Sequence, residues 1–168
     1  LLLATARATV LIGTLYPLAL EALTGDKISV GAPFFEFTFV PLAFVLLLIL
    51  PFGQALAWKR GDLLGAAQRL ATVFGLALVL TILVAAFVHG GSVLSLVWLA
   101  LAFFLIAGGL NEIVSRAWSR GMPLSVAWRR AIGLPRSAWG AAIAHAGVGV
   151  VVLGLAAQAW SVERLATL

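Results

Sequence analysis

A chain of 168 residues that is 63% hydrophobic and only 10% charged, with a mean hydropathy of +1.14, carries more apolar surface than a water-soluble fold can hide, and reads as an integral membrane protein. It contains no cysteine, which excludes disulfides, thiolate metal sites and cysteine nucleophiles. The net charge of +5 lies largely in loops between apolar runs, a pattern that sets membrane topology and argues against nucleic-acid binding.

In chain order, residues 1–20 form a first apolar span broken only by Arg7, with Tyr16 and Pro17 near its exit. Arg7 suits a charge that snorkels to the headgroups. Residues 21–38 include EALTGDKISVGAPFFEF, the most polar stretch that also carries aromatics. Gly25 with Asp26 predicts a turn, and Gly31 with Pro33 predicts a break before Phe34 and Phe35. Such a segment fits an outward amphipathic element or a plain interfacial anchor.

A second span covers 39–58, with Pro41 near its start and Pro51 inside it, where a kink or shortening is expected. A polar loop at 59–69 holds Lys59, Arg60, Asp62 and Arg69. The third span, 70–88, ends at His89-Gly90-Gly91, and His89 reads as an exposed turn histidine. The fourth, 93–114, has Asn111 and Glu112 near its end, as markers of the interface. The loop at 115–137 holds Arg116, Arg120, Arg129, Arg130 and Arg136, with Trp118, Trp128 and Trp139 within or beside it, as in an interfacial aromatic belt. The fifth span is 138–160.

The expected fold is thus all-α: a polytopic transmembrane helix bundle of about five spans in a single helical region. The abrupt ends at Leu1 and Leu168 lead us to expect a piece of a larger membrane protein. Eight of the basic residues fall in the loops at 59–69 and 115–137, which places those loops in the cytoplasm and the GAPFF segment and C-terminal end outside. The chain has no G-x-S-x-G, P-loop, H-E-x-x-H or internal repeat. No catalytic residue is assigned.

The fifth span, AWGAAIAHAGVGVVVLGLAAQAW, carries His145, which the orientation places roughly 10 Å inside the cytoplasmic end of its helix. An ionisable side chain at that depth is a functional candidate. Ala141, Ala142 and Gly149 lie a helical turn away on the same face, with Ala144, Ala146 and Gly147 flanking, so the helix is thin around the imidazole. Two readings stay open: close approach of another helix, with His145 hydrogen-bonded across it, or a flat ligand such as haem, with His145 on the iron.

Taken together, the GTLYP-ended span (Gly13, Thr14, Pro17), the ISVGAPFF segment (Gly31, Pro33, Phe34, Phe35) and the final WGAAIAHAGVGVVVLGLAAQAWSVER run resemble the cytochrome c maturation protein F family. In the last run the matching positions are Trp139, Gly140, His145, Gly147, Gly154, Ser161, Glu163 and Arg164. The resemblance covers nearly the whole chain in order; a haem lyase for nitrite reductase assembly looks similar. It implies a multi-pass protein of the bacterial inner membrane that accepts haem from a periplasmic haem chaperone. That protein attaches haem to the Cys-x-x-Cys-His motif of apocytochrome c, alongside other cytochrome c maturation membrane subunits.

The resemblance also implies a permanent haem b held between two transmembrane histidines, one at the position of His145, whose partner lies upstream of this chain. His89 does not match a haem-ligand position. The six tryptophans stand singly, unlike the family's tryptophan-rich periplasmic motif. The chain is therefore expected to be a C-terminal part or a split subunit, inactive alone. The rival reading is a non-enzymatic scaffold or transporter fragment in which His145 only packs helices.

Overall fold

The computed structural model describes residues 1–28, 30–55, 63–89, 91–119 and 121–165. The expected loop residues Lys59, Arg60, Asp62 and Arg120, and the turn residue Gly90, lie outside them. The described residues form helices α1 (Leu2–Thr24), α2 (Ala32–Ala55), α3 (Leu63–Phe87), α4 (Val93–Ala117), α5 (Leu124–Ile132) and α6 (Arg136–Leu165), with no strand among them. Five of the helices are long and apolar enough to cross a membrane, and the chain is a multi-pass membrane protein of the all-α class.

The chain divides into two units, Leu1–Ile49 and Leu50–Leu168. In the first, α1 runs through Pro17 to Gly25, whose left-handed backbone (φ 77°) ends the helix as its N–H donates to the Glu21 carbonyl. A glycine pays no Cβ penalty for that conformation. Gly13 is the buried residue of α1. A Cβ there would come within 2.7 Å of the Phe34 ring and 3.0 Å of the Phe35 ring. Those rings meet edge to face at 5.3 Å. The GTLYP and PFF motifs are therefore one packing contact.

The start of α2 corrects an expectation. Residues 32–38 are helical, seven positions before the expected start at 39. Pro33 sits in the first turn, where its missing N–H would have had no helical partner, so it initiates the helix that it was expected to break. Helix α2 also continues through Pro41 and Pro51. Similarly, α3 begins at Leu63, within the expected 59–69 loop. The 115–137 loop contains α5, with Ala127 and Ala131 buried and Leu124, Trp128, Ile132, Arg129 and Arg130 exposed. That two-faced helix between apolar spans suits the membrane surface.

The second unit is built on α4, against which α3, α5 and α6 all pack. Ser92 caps α4 by accepting the Ser95 backbone N–H at 3.1 Å. Leu99, Leu101, Ala102, Phe104 and Leu105 are buried along it. On α3, Leu70, Val73, Ala77 and Thr81 are buried at spacings of three and four residues, one helical stripe. The Phe74 and Phe104 rings meet edge to face at 5.9 Å between these two helices.

Helix α6 buries Ala138, Ala142, Gly149, Val152 and Ala156 in one stripe. Its approach to α4 is nearly backbone to backbone: a Cβ on Gly109 would lie 2.8 Å from the Ala142 carbonyl oxygen and 2.9 Å from the Ala146 nitrogen. A Cβ on Gly149 would lie 2.8 Å from the Ile106 nitrogen. By contrast, Gly140, Gly147 and Gly154, seven residues apart, face open space. Gly149→Leu should accordingly destabilise the 168-residue chain in detergent by about 1–3 kcal/mol, through forced separation of α4 and α6. Gly147→Leu should change thermal unfolding little, and equal shifts for the two would contradict this packing.

Candidate functional site

His145 lies on the stripe of α6 that packs against α4, three residues after Ala142 and four before Gly149, both buried. Residue numbers fall along α4 as they rise along α6, from Gly109 against Ala142 and Ala146 to Ile106 against Gly149, so the two helices are antiparallel. The imidazole is partly buried, and its Nδ1 is enclosed without a hydrogen-bond partner. Such a group is costly inside a protein unless something satisfies it.

The structure divides the small residues around His145 between two tasks. Ala142, Ala146 and Gly149 are consumed by the contact with α4, while Gly147 borders open space and Ala144 is exposed. Close approach of another helix is thus seen on one side of α6, without a hydrogen bond from His145 Nδ1, and a thin wall is left on the other. His89 is exposed just after α3 and far along the sequence from this stripe. Among the described residues no three His, Asp or Glu side chains gather as a metal site. Among the described residues the inner stripe of α6 therefore offers a metal centre one imidazole, which fits an axial ligand of a porphyrin iron.

A second polar group, Glu112, expected near the end of its span, is packed against protein. The Glu112 side chain is only 9% exposed, its Oε1 accepts from Arg116 Nη2 at 2.8 Å, and its Oε2 is buried without a partner. The pair is one helical turn apart on α4, and Arg116 is the more exposed member. The adjacent Gly108 and Gly109 were the sequence signal for this burial: Gly109 admits α6, and Gly108 admits Pro51, 3.1 Å from where its Cβ would be.

Near the start of α6, Ile113, Ala117, Trp118, Leu124, Trp128 and Trp139 contribute to an apolar cleft. Trp139 donates to the Ala131 carbonyl at 3.0 Å, tying α6 to the end of α5. At the other end of α6, the Trp160 ring lies against Gly91, where a Cβ would come within 2.5 Å of it.

No family model and no solved structure matches the chain. Curated proteins do. Over its whole length the chain is 52% identical to the cytochrome c-type biogenesis protein CycK of Bradyrhizobium diazoefficiens, covering 26% of that protein. It is 54% identical, over 92% of its length, to CycK of Rhizobium meliloti. The chain belongs to the CycK/CcmF family. CcmF of Escherichia coli is 32% identical over 97% of the chain. The chain spans about a quarter of the length of these CycK and CcmF relatives, in a C-terminal part.

Within this CycK/CcmF segment, Arg116→Ala leaves a buried carboxylate uncompensated and should cost about 1–3 kcal/mol of stability. Adding Glu112→Gln should recover part of that loss in a double-mutant cycle of thermal unfolding. Additive effects would show that the pair is not coupled.

Proposed function

We propose that the chain is part of a cytochrome c haem lyase, and that His145 is one axial ligand of a haem b held in the membrane. The observation that carries this reading is the half-buried imidazole on the inner stripe of α6, with an unsatisfied Nδ1, in a chain that shares 52% of its residues with a cytochrome c-type biogenesis protein. A neutral imidazole binds iron through one nitrogen and leaves the other to donate a hydrogen bond that orients the ring. Haem, when bound, supplies a one-electron couple, suited to keeping a substrate haem iron or thiols reduced.

The residues of this chain hold and orient. Ala142, Ala146 and Gly149 bring α6 onto α4 and fix the height and rotation of His145. The apolar face of α4 covers the stripe of α6 that carries the ring. The second axial histidine and the tryptophan-rich surface that receives haem belong to sequence outside these residues. The whole protein accepts haem from a periplasmic haem chaperone and joins it to the Cys-x-x-Cys-His motif of apocytochrome c, with other maturation subunits beside it; this chain alone is inactive. Its basic loops face the cytoplasm and its GAPFF segment the periplasm, across the inner membrane.

A second reading has a specific observation in its favour. Because Ala142, Ala146 and Gly149 are already used in helix packing, His145 could belong to a scaffold with no cofactor. Reduced-minus-oxidised visible spectra of the full-length protein in detergent separate the two. A b-type signal that is lost in His145→Ala supports the ligand reading. A folded His145→Ala protein with an unaltered b-type signal contradicts it.

A further inference from the structure

Resting on the haem-ligand reading of His145, we infer that the Glu112 carboxylate is the hydrogen-bond acceptor for His145 Nδ1, a positioning residue reaching across from α4. Among the described residues three buried side-chain polar atoms lack a partner: Glu112 Oε2, His145 Nδ1 and Trp160 Nε1. Trp160 stands fifteen residues beyond His145 on α6, about 22 Å along the axis. The other two are an acceptor and a donor on helices in direct contact.

Their positions along the pair agree. Gly109 abuts Ala142 and Ala146, which bracket His145, and Ile113 packs in one cluster with Ala142, so Glu112 stands about one helical turn from the level of His145. Cα–Cβ bonds tilt toward a helix N-terminus. Because α4 and α6 are antiparallel, that tilt carries the Glu112 and His145 side chains toward each other along the axis. Their rotations agree as well. Glu112 is three positions after Gly109, and His145 three after Ala142, so each is turned about 60° from its contact-line residue in the same sense. In an antiparallel pair, equal turns in one sense lead to the same flank.

The chemistry is complementary. Arg116 engages only Oε1 and leaves Oε2 to accept. A carboxylate accepts and does not donate, so it selects the imidazole tautomer with the proton on Nδ1 and presents Nε2 to the metal. No hydrogen bond joins the two groups in this structure; a side-chain rotation or one bridging water closes the contact. An acceptor on Nδ1 raises the basicity of the ring and stabilises the ferric over the ferrous iron.

The test is a redox titration of the b-type haem, followed by visible spectroscopy, in the full-length protein and its Glu112→Leu, Glu112→Gln and His145→Ala variants. Both Glu112 variants should retain haem with an upward shift of midpoint potential, larger for Leu than for Gln, which keeps a carbonyl to accept the bond. An unchanged potential in Glu112→Gln overturns the inference, and so do equal shifts in both, which would report only lost charge. Where Glu112→Leu does not accumulate, Glu112→Ala takes its place beside the near-isosteric Gln variant, and the two shifts are compared in the same way. His145→Ala serves as the reference: loss of haem there, with unshifted Glu112 variants, overturns the role of Glu112 and leaves the ligand reading intact. Haem retained in His145→Ala overturns both.

Discussion

The second unit depends on the contact at Gly109 and Gly149, where the missing Cβ atoms let the backbones of α4 and α6 approach closely beside the Ile106 and Ala146 side chains. Lipid tails are as apolar as leucine, so helices in a bilayer gain nothing from merely hiding apolar surface from one another; they associate through close packing and a few polar bonds. A glycine on each helix lets many backbone atoms reach van der Waals distance at once. The same closeness fixes the register of the two helices to within a fraction of a turn. A looser pair could slide or roll and would carry its polar side chains with it.

That register matters because each of these two helices brings a buried polar side chain with an unsatisfied atom to this contact. Glu112 comes from α4, anchored by Arg116 at 2.8 Å, and His145 comes from α6. Polar groups in such a place cost free energy unless something satisfies them. Their presence in an otherwise apolar contact is hard to account for as packing alone. In the first unit Gly13 plays a comparable structural part, by admitting the Phe34 and Phe35 rings to α1.

The sequence made the membrane class and the apolar spans legible, because runs of Leu, Val, Ala and Ile with so few charges have no other home. His145 stood out for the same reason. The start of α2 was misplaced because Pro33 was read as a breaker, although proline is at ease in the first turn of a helix. Which way His145 faces was not legible either. Small residues surround it on every side of α6, and only the structure divides Ala142, Ala146 and Gly149, which pack on α4, from Gly140, Gly147 and Gly154, which do not. Glu112 was read as an interface residue from its place near the end of a span; its burial follows from the neighbouring Gly108 and Gly109, whose partners lie far along the chain.

The central claim, that the His145 imidazole is itself a ligand and not a packing element, is tested most directly by chemical rescue. Full-length protein carrying His145→Gly would be supplied with haem, with and without free imidazole, and its visible spectrum recorded. The account predicts no b-type spectrum without imidazole and its return when imidazole enters the space left by the side chain. A b-type spectrum in the variant without imidazole would contradict it, as would a folded variant that binds no haem even when imidazole is present.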